Sequence, residues 1–315
     1  MKGKTLLLAI CFVIFWNSGF IGADHVLPQT EPFTLLFWRY LGLSLLLFFY
    51  LVLRKRLHWP GWKIAAPNMM IGLLAHGVWL GCTFFAFKNG VSAGMVALVI
   101  ALQPIATGAL SGLMTGEKTR KVQWLGLIIG FSGVAFSVIF RMKTDNEATI
   151  FGYLILLGSV LSISIANLIQ RQLELKNAMN KLRTEQSLFY QSMATASAAF
   201  LPAVFFEGLS AEWDMEFTLS LSWLILGVSL MAYGLMGKLL ERISATKVSS
   251  LFYLGPPVTM IMAWILLGDK IHITDLFGLL IVLSGLMLTQ IDIHKYLKSL
   301  KKRRTIFHGR LQPRV

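Results

Sequence analysis

Charge is scarce in this sequence. Asp, Glu, Lys and Arg supply only 14% of its 315 residues against 56% hydrophobic ones, and mean hydropathy is +0.67. So little polar surface cannot cover a soluble globule of this size, which makes a bilayer the solvent to consider. No Asp or Glu falls in the central part of any long apolar run, which disfavours proton coupling through a buried carboxylate. Cysteine is almost missing: Cys11 and Cys82 both lie inside apolar runs, so no external disulfide framework is expected. There is no Gly-rich loop ending in Lys-Ser/Thr, which excludes direct ATP hydrolysis. Nor is there an HxxxH pair or a cluster of acids at helical spacing, so no catalytic residue, metal site or cofactor is expected and a membrane enzyme is the weaker rival.

What the chain does have is apolar length. A hydrocarbon core of ~30 Å takes roughly 20 residues of helix. Runs of that order fall at Thr5–Gly22, Phe33–Leu53, Ile64–Phe87, Ala93–Thr115, Val122–Phe140, Ala148–Ile169, Ser187–Phe206, Phe217–Met236, Val248–Gly268 and Ile273–Ile291. The expected fold is all-α and integral to the membrane, with ten transmembrane helices. Lys2 and Lys4 before the first run imitate a signal peptide, but Trp16-Asn17-Ser18-Gly19 offers no small-x-small cleavage site, so the first helix is expected to stay.

Lys and Arg fix the expected orientation. With the N-terminus in the cytoplasm, 24 of the 29 basic residues fall inside and four (Lys88, Arg141, Lys143 and Lys270) outside, while ten of the 15 acids fall outside. Both termini are therefore expected in the cytoplasm, with ten crossings of the membrane. The basic tail, residues 292–315, is expected to lie on the anionic inner leaflet rather than on nucleic acid, since no folded reading module accompanies it.

The strongest internal signal is a repeat. At a constant offset of 152 residues, Ser92–Gly133 and Ser244–Gly285 share 13 identities. Apolar matches arise by accident, but the punctuation also falls in register: Pro104 with Pro256, Gly116-Glu117-Lys118 with Gly268-Asp269-Lys270, and Ser132-Gly133 with Ser284-Gly285. The expected units are residues 5–140 and 148–291, five helices each. An odd number of crossings per unit makes the second enter the bilayer upside down, so Lys118 faces in and Lys270 out. Inverted repeats of this kind place a substrate site near the midplane at the junction of the halves.

These motifs, together with Trp16-Asn17-Ser18, Phe37-Trp38-Arg39-Tyr40, Phe84-Phe85-Ala86-Phe87, Leu102-Gln103-Pro104 and Leu254-Gly255-Pro256, resemble the drug/metabolite transporter superfamily and, within it, the EamA-type bacterial carriers of ten helices. The resemblance covers roughly residues 5 to 291. The chain departs from a strict duplication in having Asp269 opposite Glu117 and no arginine in the seventh helix to match Arg39. The resemblance implies export or uptake of a small metabolite such as an amino acid.

Residues at depth then become candidates for the path. Arg39 is the only basic residue well inside a run; it either grips a substrate carboxylate or snorkels outward to Asp24 or Glu31. His76 either relays a proton or bonds a neighbouring helix. Asn17, Trp79, Gln103, Tyr233 and Tyr253 complete the expected substrate-binding set, and Pro104 and Pro256 are expected kinks or hinges. Glycines of the fifth and tenth helices, among them Gly126, Gly130, Gly133, Gly278 and Gly285, are expected to serve close helix packing away from the ligand. The expected function is a secondary transporter, in the exporting direction, with a small-molecule substrate and the lipid bilayer as partners and homodimerisation left open. The alternative is a scaffold, sensor or membrane enzyme without transport activity.

Overall fold

The computed structural model describes residues 3–114, 121–144, 148–175, 182–240, 242 and 250–290. The turn Gly116–Lys118, the basic tail from residue 292 and the Pro104 and Tyr253 side chains lie outside what is described.

Helix α1 is Gly3–Val26 and α2 is Pro32–Leu53. Helix α3 joins Trp62–Gly72, a π-helical stretch Leu73–Val78 and Trp79–Lys88. Helix α4 is broken into Ala93–Ile100 and Gln103–Met114. Lys121–Thr144, Ile150–Leu175 and Thr184–Phe205 form α5, α6 and α7. Helix α8 again contains a π-helical stretch, Trp223–Ala232, between Met215–Ser222 and Tyr233–Leu240. A 3-10 turn, Ser250–Leu254, leads into α9, Gly255–Leu266, and Ile273–Gln290 forms α10.

Seven of these rods are long and apolar enough to cross a membrane: those of α1, α2, α3, α4, α6, α7 and α8. Shorter apolar helices occur at Trp124–Phe140, Gly255–Leu266 and Ile273–Gly285. Helix is what hydrocarbon demands, because every backbone N–H and C=O must be satisfied inside the segment. Breaks fall where the sequence supplies a stop. Pro28 and Pro32 bracket the α1–α2 turn, with Pro32 at the first position of α2. Gly90 closes α3 at φ 77°, donating its N–H to the Phe87 carbonyl. The run Val248–Gly268 is shorter as α-helix than its apolar length suggests, because α-helical bonding begins at Gly255, beside Pro256 and Pro257.

Each rod buries one stripe. In α2 the buried side chains are Leu35, Leu36, Arg39, Tyr40, Leu43, Leu47 and Leu51, spaced three and four apart, while Leu45, Leu46, Phe49 and Leu53 are exposed. Exposed large apolar residues recur on the outside of every rod, from Leu7 to Met287, a surface that suits lipid and not water.

The rods pack in a pattern that survives exchange of α1–α5 for α6–α10. Helix α1 packs on α8 and α9, and correspondingly α6 packs on α3 and α4. Helix α3 packs on α7 as α8 does on α2. Helix α2 packs on α7, α4 on α9 and α5 on α10. The last pair is the tightest. A methyl group at Gly133 would stand 2.8 Å from the Gly278 carbonyl oxygen, and one at Gly285 would stand 2.5 Å from that of Gly126. Rising numbers on α5 meet falling numbers on α10, so the two run antiparallel with backbones in contact.

Candidate functional site

The inward stripes of α1, α2, α3 and α8 do not meet completely. Between them lies a narrow cavity of about 30 Å³ that reaches Ala23 and Phe84 near the Val26 and Lys88 ends of α1 and α3. Arg39 and Tyr40 of α2, Trp79 and Thr83 of α3, Trp16 of α1 and Tyr233 of α8 line it, and Phe20, Leu80, Phe84 and Val228 supply apolar wall.

Arg39 is the charge in this space. It is 4% exposed, and its Nε donates 3.1 Å to the Ser229 hydroxyl within the π-helical part of α8. Its guanidinium carbon stands 5.6 Å from the centre of the Tyr40 ring. It has not snorkelled. Glu31 pairs with Lys88 at 3.1 Å, and the ion pairs among the described residues leave Arg39 without a carboxylate. Insertion of an arginine costs a few kcal/mol on translocon scales. One neutral hydroxyl and one ring face return only part of that.

Trp79 is the second polar group held ready. It is 8% exposed and lines the cavity, and its indole Nε1 has no hydrogen-bond partner. Its carbonyl is fully used, accepting from Thr83 at 2.9 Å and from Ser159 of α6 at 3.0 Å, which pins the backbone where the π-helical stretch ends. Aromatic rings close the floor. Trp16 and Tyr233 have centroids 5.2 Å apart, Trp16 meets Phe252 edge-on at 5.1 Å, and Phe12 stacks behind both.

The remaining sequence candidates sit around this space. His76 is 3% exposed and backs the wall rather than forming it: its ring lies 5.1 Å from Tyr40 and 6.0 Å from Tyr233. Its Nε2 shares a hydrogen bond of 3.1 Å with Gln191 Oε1. From there a polar chain runs between α3 and α7. The Gln191 amide donates to Ser187, whose hydroxyl donates 2.6 Å to Asn68 Oδ1, while Thr195 donates to the Gly72 carbonyl. Asn17 is committed to structure, its Nδ2 donating to the Val13 carbonyl at 2.7 Å and its Oδ1 accepting from Thr259 of α9 at 3.1 Å. Gln103 is half-buried below the break in α4 and does not line the cavity; its carbonyl accepts from Ser164 at 3.3 Å. Pro256 is buried at the start of α9.

Arg39, Trp79 and Tyr233 are thus brought together, while Asn17, His76 and Gln103 brace the helices around them. Tyr40 and Ser229 belong to the site and were not singled out in the sequence. Tyr40 enters the sequence reading only as a neighbour of Arg39 in Phe37-Trp38-Arg39-Tyr40, and Ser229, 190 positions away from Arg39, looks like any small residue of an apolar run.

Helical rods with apolar exteriors around a charged, aromatic-walled cavity are the build of a polytopic membrane protein. A family model described as the EamA-like transporter family matches residues 3–139 and again 150–291, and the chain belongs to that family. Its seven long apolar helices fit a multi-pass membrane protein. Among curated relatives it is 23% identical over 298 residues to a probable amino-acid metabolite efflux pump of Salmonella typhimurium, covering 91% of this chain and 94% of that one. It is 24% identical over 286 residues to the uncharacterized inner membrane transporter YedA of Escherichia coli K12, covering 90% and 89%. A solved crystal structure superposes with a TM-score of 0.62 at 16% identity, over 92% of this chain and 97% of the other, a likeness of fold.

Proposed function

We propose that the protein is a secondary carrier that exports a small organic metabolite by alternating access between two five-helix halves of opposite orientation. The observation that carries the proposal is the cavity itself: α1, α2 and α3 from one half and α8 from the other wall it, and Arg39 reaches across the junction to Ser229. A site shared in this way changes shape whenever one half rocks against the other.

Three further features support the reading. The main packing pairs between the halves recur on their exchange, and α5 and α10, which carry equivalent glycines, cross antiparallel. The π-helical stretches occur in α3 and α8, the third helix of each half, where an irregular turn next to a cavity supplies a place to bend. The family repeats twice along the chain, at 3–139 and 150–291. On this reading there are ten crossings with both termini cytoplasmic, and the exporting direction follows the relatives named as efflux pumps.

The test is flux of candidate amino acids, organic acids and amines through proteoliposomes. Arg39→Ala is expected to lower flux about a hundredfold, the effect of removing a buried charged hydrogen-bonding partner, while membrane abundance is unchanged. Abundance that collapses with flux would make Arg39 structural and leave the cavity without a role.

A further inference from the structure

We infer that the cavity around Arg39 selects carboxylate anions that carry no ammonium group, on an aromatic or branched apolar body, over the amino acids of the same skeleton. The inference depends on the carrier reading for its setting and narrows that reading to one charge class.

Arg39 brings a full positive charge and keeps its two terminal nitrogens without a carboxylate among the described residues, since only its Nε is engaged, by Ser229. Trp79 adds an indole N–H that is more than nine-tenths buried, without a partner, on a ring that lines the same space. Both groups are donors, and a carboxylate is the small organic group that accepts from two such donors and cancels the charge as well. Among the described residues no lining residue is Asp or Glu. Asp24 is adjacent in sequence to the lining residue Ala23, yet it does not line the cavity, and the charge near it is the like charge of Asp269.

An α-ammonium group would therefore enter with no anion to meet. The aromatic faces do not rescue it. The guanidinium already stands 5.6 Å from the Tyr40 ring centre, and a second cation in the same low-dielectric space is repelled by the first. Of the rest of the wall, Thr83 spends its hydroxyl on the Trp79 carbonyl and Tyr40 and Tyr233 are neutral, while Trp16, Phe20 and Phe84 supply apolar and aromatic surface that suits a ring or branched chain. Discrimination here comes as much from the unpaired charge of the wrong ligand as from contacts with the right one, and is expected to reach about a hundredfold.

Three ligands with one skeleton test this: 3-phenylpropionate, phenylalanine and phenethylamine, which differ at neutral pH in being anion, zwitterion and cation. Binding to the purified full chain is followed by tryptophan fluorescence and thermal melting, and counterflow by the same chain in proteoliposomes. The expected result is that 3-phenylpropionate binds and exchanges about a hundredfold better than phenylalanine, and phenethylamine not at all. Arg39→Gln should abolish anion binding with the unliganded melting temperature retained. Trp79→Phe, which keeps the ring and loses the N–H, should weaken anion binding about tenfold. Phenylalanine binding as well as the anion would overturn the charge-class inference and leave the carrier standing. Anion binding that depends on Arg39 without any flux would uphold the charge class and overturn the carrier. If none of the three binds to folded protein, the inference fails.

Discussion

At the scale of single residues, the site is a balance between one buried charge and neutral neighbours chosen to hold it still. Ser229 fixes the guanidinium by its Nε and leaves the outer nitrogens without a carboxylate among the described residues, on a side chain that lines the cavity. A hydrogen bond to a charged group contributes about 1.5–3 kcal/mol, so Ser229→Ala should raise the half-saturating substrate concentration about tenfold while leaving abundance and helix content unchanged. An unchanged concentration dependence would show that Arg39 is positioned by its ring contact with Tyr40 alone. His76 is different in kind. Its ring is packed between Tyr40 and Tyr233 and its Nε2 is bound to an amide, which does not readily pass a proton on. His76→Gln should therefore leave the shape of the flux-against-pH curve as it was, and a flattened curve would return the proton-relay role to this residue. The sequence alone favours a helix-to-helix hydrogen bond over a relay for His76 but does not name the partner, because Gln191 is 115 positions away and belongs to a different helix. Arg39 was legible, since an arginine deep in an apolar run is costly wherever the fold puts it. What held it was not, since Ser229 differs little from the other small hydroxyl residues that bond their own helix, such as Ser44 and Ser111.

At the scale of helices, small residues decide which surfaces can approach. Gly285 meets the backbone of Gly126 and Gly130, and Gly278 meets Gly133 and Ser137, so α5 and α10 touch through backbone where any side chain would separate them. Gly285→Leu should lower the melting temperature of the purified protein, with a cost of about 1–3 kcal/mol or more for forced repacking. Gly108→Ala in α4 is the control: a methyl there meets nothing within 4 Å, and alanine is about 1 kcal/mol better than glycine inside a helix. Equal melting temperatures for the two variants would remove the close packing from the account. The glycine spacing and the repeated proline were readable in advance because each acts on its own helix, through backbone reach or a missing donor. The π-helical turns of α3 and α8 were not, because nothing local marks them: Leu73–Val78 and Trp223–Ala232 are ordinary apolar sequence. Their irregular bonding coincides with packing against α7 and α1, which the sequence does not display.

At the scale of the whole molecule, the duplication and the charge bias make one joint claim that packing alone cannot test, because packing has no inside or outside. Equivalent positions 152 residues apart, Lys118 and Lys270, should lie on opposite sides of the membrane if the halves are inverted. Single cysteines at these positions, introduced into a chain with Cys11 and Cys82 replaced by serine, can be labelled with a membrane-impermeant maleimide in intact cells and again after permeabilisation. The expected outcome is that Lys270→Cys reacts in intact cells and Lys118→Cys only after the membrane is opened. The charge bias strengthens the expectation, since 24 basic residues against four is far from an even division between the two faces. The antiparallel α5–α10 contact requires the same answer by an independent route, because equivalent helices that run in opposite directions begin on opposite faces of the bilayer. Labelling of both positions from one side would break that link. One half would then have an even number of crossings, and the cavity at Arg39 would lose the mirrored partner that lets a single site open in turn to each side.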